Sequence, residues 1–192
     1  MGELEKNLIS MKDKYEKIFQ EQAEYISSKV KKSDVNSILE DMEVKQREIF
    51  EKRNRYSCVG CGACCRLAIS EFSYDELKTK AKNGDNFATQ FISIFVPYSD
   101  ISEAKKIFPE YIELLEVQNE NKNVYFYHCP KVTQNNRCPD YENRPQICRD
   151  FPDNPIAFLP KTCGFSAWKN EVEEDYMKNY ASVEIIDYLF NE

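Results

Sequence analysis

Cys58-Val59-Gly60-Cys61-Gly62-Ala63-Cys64-Cys65 reads C-x-x-C-x-x-C-C, and the rest of the chain is best read outward from it. A C-x-x-C turn points two thiolates at one ion, and glycine between ligands lets backbone N–H groups face the sulfurs. Gly60 and Gly62 separate the first three cysteines, and Ala63 is small. Four more cysteines follow at Cys129, Cys138, Cys148 and Cys163, so all eight lie between positions 58 and 163. Gathering both sets around metal closes a loop of about 60 residues, and coordination is then folding energy for a region poor in regular structure.

Four chemistries compete for these thiols. Eight thiolates match two tetrahedral all-cysteine zinc sites, and the neighbours Cys64 and Cys65 can serve different ions. Cys58, Cys61 and Cys64 also reproduce the first three ligands of the bacterial ferredoxin run, which favours an iron–sulfur cluster. Ala68 stands where the fourth cysteine of that run belongs, and Cys129-Pro130 or Cys138-Pro139 would have to supply it. Disulfides need an oxidising compartment, and Met1 to Asn7 lacks the apolar core of a signal peptide, so the expectation is a cytoplasmic protein. Cysteines with no shared role do not explain four of them within eight positions.

Composition removes other classes. The 192 residues carry 26 basic and 33 acidic groups, net −7, with no basic excess of the kind that nucleic acid or an anionic membrane attracts. No apolar run reaches the roughly 18–20 residues of a membrane span. Neither nucleic acid nor membrane is therefore expected as a partner. The single histidine, His128, leaves no Ser-His-Asp or Cys-His pair beyond itself, so no catalytic residue is assigned.

Around the cysteine region the chain reads as mainly α. Residues 3–32 predict one long helix, with Leu4, Leu8, Met11, Tyr15, Ile18, Gln22 and Tyr25 as a heptad seam. Ser33-Asp34 is a turn in which either side chain can cap the next helix. That helix runs over 34–54 with a seam of Val35, Ile38, Leu39, Met42, Gln46 and Ile49. The two make an antiparallel hairpin over 1–55, expected to pack on the cysteine region or on a second copy, or else to bind a protein partner.

Within 56–165, Ser73 to Glu76 is a capping box for a helix that Asn83-Gly84 stops. Phe87 to Val96 reads as a buried helix with Phe87, Phe91, Ile94 and Phe95 on one face, ended by Pro97. Ser99 or Asp100 caps a further helical stretch, re-phased at Pro109 and running to about Val117. A polar turn over 118–123 leads to a short aromatic strand, Val124 to His128. Six prolines between 129 and 160 predict an irregular, stiffened loop. The last segment, 166–192, reads as a helix packing on the domain, with Trp168, Val172, Tyr176, Tyr180 and Val183 on one side.

Arg144-Pro145-Gln146-Ile147-Cys148-Arg149-Asp150-Phe151-Pro152 is the second informative stretch. Pro145 suits the first position of a short helical turn. Arg144 and Arg149 flank Cys148, where a guanidinium offsets thiolate charge, binds an anion, or pairs with Asp140, Glu142, Asp150 or Asp153. Tyr141 is expected under this loop with its hydroxyl bonded to backbone. His128, next to Cys129, reads as a neighbour of the ligands, although imidazole also suits zinc.

The run Cys58-x-x-Cys61-x-x-Cys64-Cys65-Arg66, then Cys129-Pro130, Cys138-Pro139-x-Tyr141-x-x-Arg144-Pro145-x-x-Cys148-Arg149-x-Phe151-Pro152, and Cys163 resemble the YkgJ-type cysteine-cluster proteins, a family described as a zinc- or iron-chelating domain. The match covers roughly 56–165. It implies metal binding through the cysteines, all eight of them, with zinc or iron as the cofactor, and little about activity; the role expected of the metal is structural or regulatory. An iron–sulfur oxidoreductase or electron carrier is the alternative, since members often carry that label. A related cluster in the flagellin lysine N-methylase family suggests methyl transfer, but no glycine-rich nucleotide loop accompanies it here. His128, Tyr141, Arg144 and Arg149 are expected to touch the ligands rather than the metal.

Overall fold

The computed structural model describes residues 3–109, 111–113 and 124–190, with side chains from residue 13 onward. The seam positions Leu4, Leu8 and Met11, the end of the helical continuation over 114–117 and the polar turn over 118–123 lie outside the described side chains and residues; residues 111–113 of that continuation are helical. The helices are α1 (Glu3–Lys29), α2 (Val35–Arg53), α3 (Ala63–Arg66), α4 (Tyr74–Lys82), α5 (Asn86–Ile94), α6 (Ile101–Lys105), α7 (Gln146–Asp150) and α8 (Ser166–Phe190). Among the described residues three short strands, β1 (Ala68–Ser70), β2 (Val96–Pro97) and β3 (Tyr125–His128), form one sheet. The fold is mainly α. The chain divides into two compact units, one made of Met1–Ser57 and Gly164–Glu192, the other of Cys58–Cys163.

The first unit is a three-helix bundle. The seams of the hairpin are covered by α8, which returns after the whole cysteine region has intervened. Tyr15 bonds Glu173, Ile18 packs with Met177 and Ala181, and Ile26 packs with Ile186, so α1 and α8 run parallel. Ile49 meets Trp168, Gln46 meets Asn179, and Val35 meets Ile186, so α2 runs the other way. Two polar seam positions are partnered inside the bundle. The Asn179 amide donates to Met42 O and Gln46 Oε1, and the Ser182 hydroxyl donates to Gln22 Oε1. Buried polar groups that find partners in only one register fix that register.

Three expectations change here. Tyr25, placed on the seam by the heptad, is 60% exposed, and Ile26 is buried instead. A straight helix turns every 3.6 residues, so a strict 3.5 repeat drifts off the contact line. On α8, Tyr180 and Val183 are exposed, while Asn179, Ser182 and Ile186 are buried with Trp168 and Val172. A helix touching two neighbours needs two buried stripes, and the polar members of one stripe are hidden from a reading based on hydrophobicity. Asp34 occupies the N-cap position of α2, but no side chain caps the helix. The Asp34 carboxylate instead accepts the Ser33 hydroxyl, and a 3-10 turn over Lys32–Asp34 leads straight into α2.

The second unit is built on the sheet. Its order is β1-β3-β2, all antiparallel, with Ala68 opposite Tyr127 and Val96 opposite His128. The sequence reading found only β3, because strands of three and two residues are too short to show alternation. The capping box at Ser73 is complete, with Glu76 Oε2 accepting from the Ser73 backbone N–H and the Ser73 hydroxyl accepting from Glu76 N. Asp85 caps α5 through Ala88 N. Helices α4 and α5 then bury Leu77, Ala88, Phe91 and Phe95 against Tyr127. Phe87, expected on that face, is 53% exposed and touches only the edge of the cluster, ring to ring with Phe91. Asp100 caps α6 through Ser102 N, and a second cluster of Leu67, Ala104 and Ile112 fills the other side.

Candidate metal centre

The sheet delivers both cysteine sets to one place. Strand β1 begins three residues after Cys65, and β3 ends one residue before Cys129. Antiparallel pairing therefore brings Cys129 back beside Cys65. The Cys129 N–H donates to Cys65 O at 2.7 Å, one residue out of the β1–β3 register and at the end of α3. Cys64 and Cys65 sit on the single turn of α3, whose N-cap Gly62 has φ +78. The Gly60 N–H faces the Cys58 sulfur at 3.4 Å, as the glycine spacing predicts.

A polar clamp ties the 129–138 loop to this turn. Arg66 Nε donates to Asn136 Oδ1, and its terminal nitrogen donates to Thr133 O at 2.8 Å. Arg137 donates to Val59 O and its flexible end lies against Gly60. Asn136, with φ 62, packs on Gly62. The loop thus lies on the faces that the two glycines leave bare. Tyr98 donates its hydroxyl to Arg66 O, and its ring lies tilted against the His128 ring, with 4.6 Å between centroids.

The cysteine-proline segment closes the other side. Tyr141 donates its hydroxyl to Cys58 O at 3.3 Å, the backbone bond expected for it. The Arg144 guanidinium lies 3.7 Å over the Tyr141 ring and donates to Tyr141 O. Arg149 donates to Arg144 O and Glu142 O. Both arginines therefore hold the backbone of the 141–144 turn. Pro145 takes the N-cap position of α7, one step before the position expected.

All eight cysteines are half-buried. Among the described residues, no three Cys, His, Asp or Glu side chains stand close enough to hold an ion as they lie. Their charges nonetheless reach one another. The Cys64 thiol is pushed up by the hydrogen bond it shares with Cys65, by burial, and by Cys65, Cys58 and Cys61. The Cys65 thiol is lowered to about 7, first by the Cys64 hydrogen bond and then by Arg144 and Arg66. Burial pushes Cys148 up to about 11, helped by Cys65, Cys129 and Cys138 and opposed by Arg144. Cys163 lies in a turn closed by its own N–H on Pro160 O.

The donor set fits a soft or borderline metal. Thiolates are the ligands of structural zinc and of iron–sulfur clusters, and arginines beside them offset their charge. The residues that hold the two cysteine segments together were only partly legible. Arg66 is part of the motif but had no assigned role, and Asn136 and Arg137 were not singled out. The asparagine run Asn135-Asn136 carried the available signal, because asparagine tolerates the left-handed conformation that Asn136 adopts.

Among the described residues no helix is long and apolar enough to cross a membrane. Neither the curated proteins nor the solved structures searched contain a match to this chain. A family model does match, over residues 57–175, more than half of the 192 residues. The matched span opens at Ser57, one residue before the first motif cysteine, and takes in all eight. The chain belongs to the CxxCxxCC family, described as "Putative zinc- or iron-chelating domain".

Proposed function

We propose that this protein binds zinc or iron through the thiolates of Cys58, Cys61, Cys64, Cys65, Cys129, Cys138, Cys148 and Cys163, and that the bound metal serves a structural or regulatory role. The observation that carries this reading is the meeting of two cysteine segments, 64 residues apart, at the backbone bond between Cys129 N and Cys65 O. The Arg66 and Arg137 clamps hold those segments together through the backbone and Asn136, without using the cysteine side chains. When bound, the metal supplies a cross-link between segments that have little regular structure of their own. The protein's part is to present thiolates, to neutralise them with Arg66 and Arg144, and to keep them half-buried.

The test is metal and acid-labile sulfide content on anaerobically purified protein, with Cys61→Ser beside it. Stoichiometric zinc, or iron without sulfide, reduced in Cys61→Ser, is the expected result. Iron with matching sulfide moves the protein to the iron–sulfur redox class. Protein that holds no metal and takes up none on titration refutes the reading.

A further inference from the structure

We infer that the cysteine unit is an insertion that braces the helical bundle, so that metal bound in one unit sets the stability of the other. This rests on the chelation reading above and adds what the bound metal acts on. The first support is connectivity. The chain leaves the bundle once, between Ser57 and Cys58, and re-enters it once, between Cys163 and Gly164. The residues at the two crossings, Cys58 and Cys163, are the first and last cysteines of the proposed ligand set. Metal that takes both fixes both ends of the insert.

The bundle depends on where those ends are. Helix α8 reaches the hairpin only after residues 58–163, so packing it on α2 closes a loop of 106 residues. The bundle's own contacts begin at that closure. Trp168 Nε1, in the first turn of α8, donates to Ile49 O at 2.9 Å, and the Trp168 side chain is fully buried. The Arg53 guanidinium lies 4.7 Å over the Phe165 ring, and Glu171 pairs with Lys52 at 3.3 Å and accepts the Tyr56 hydroxyl. The segments that carry the ends of the insert, 57–62 and 151–165, contain no helix or strand. Regular structure therefore does not hold them, and coordination of Cys58 and Cys163 would. Closure cost grows as the 3/2 power of the free length, so shortening the effective loop from 106 residues to about 10 favours the closed bundle by about thirtyfold.

The experiment uses full-length reduced protein, zinc(II) as the probe and Trp168 fluorescence in urea titrations as the readout, with bound zinc measured alongside. Trp168 is the only tryptophan in the sequence and belongs to the bundle, so it reports the unit that holds no cysteine. Zinc-loaded protein should show a Trp168 unfolding constant about thirtyfold below that of chelator-treated protein, levelling off once the sites fill. A flexible Gly-Ser segment of about 30 residues placed between Cys163 and Gly164 lengthens the loaded closure about fourfold, so zinc should then act about eightfold less while its uptake is unchanged. Bound zinc that leaves the Trp168 equilibrium unmoved overturns the brace and leaves chelation standing. So does a zinc effect of the same size in the lengthened chain, or one that keeps growing with free zinc after the sites fill, as it would if both units unfolded as one. A chain that binds no zinc overturns the chelation reading itself, and with it the brace.

Discussion

Replacing Gly62 by alanine should loosen the cysteine unit far more than the same change at Gly60 or Gly84. All three glycines have positive φ, at 71, 78 and 89 for Gly60, Gly62 and Gly84, so alanine costs about 1–2 kcal/mol of backbone strain at each. They differ in what a new Cβ meets. At Gly84 there is nothing within 4 Å. At Gly60 it lies 2.7 Å from Arg137 Nη1, the far end of a flexible side chain that can swing aside. At Gly62 it lies 2.6 Å from the Cβ of Asn136, an atom fixed to the backbone. Asn136 cannot retreat without giving up its bond from Arg66. Overpacking of this kind adds about 1–3 kcal/mol. The sum for Gly62→Ala is about 3 kcal/mol, or roughly a hundredfold in an opening equilibrium at 1.4 kcal/mol per tenfold. Hydrogen exchange at the amides of Ala68–Ser70 and Tyr125–His128 in the reduced protein reads that opening. Gly62→Ala should speed it by about a hundredfold, and Gly60→Ala and Gly84→Ala by about tenfold. Exchange in Gly62→Ala no faster than in Gly84→Ala refutes the contact between Gly62 and Asn136.

Three other perturbations test separate parts of the structure. Trp168→Phe removes the buried donor to Ile49 O and should destabilise the bundle by about 1–3 kcal/mol, read as a lower Tm by circular dichroism. Arg66→Lys keeps the charge but cannot reach Asn136 and Thr133 together, so exchange in residues 129–138 should rise while the melting of the helices is little changed. Burial, then the charge and hydrogen bond of Glu173, hold the Tyr15 phenol well above its ordinary value of 10.0. The folded state therefore favours the protonated phenol, and this contribution is present below pH 10 and lost as the pH rises beyond it. Tyr15→Phe should flatten the fall in bundle stability between pH 10 and 12 in denaturant titrations, roughly the range where free tyrosine ionises.

Much of the candidate centre was legible because its chemistry is local. The spacing of Cys58, Cys61, Cys64 and Cys65, the glycines between them and the Arg-Pro and Phe-Pro signals around Cys148 sit within short windows. The same holds for the caps at Ser73 and Asp100, where one side chain answers a backbone group two or three residues away. Tyr141 was expected to bond backbone, but the acceptor, Cys58 O, lies 83 residues away and no local pattern names it.

The sequence by itself determined the helical class, the approximate extents of α1, α2 and α8, and the C-x-x-C-x-x-C-C spacing, because periodicity, capping and cysteine spacing act over a few residues. The tertiary structure alone decided the rest. It decided that α8 lies parallel to α1 and antiparallel to α2, with Asn179 and Ser182 buried because Gln46 and Gln22 await them. It decided that β1 and β2, too short to signal themselves, flank β3 and bring Cys129 beside Cys65. Pairings between residues tens of positions apart are selected by mutual burial and hydrogen-bond satisfaction, which exist only once the chain has folded.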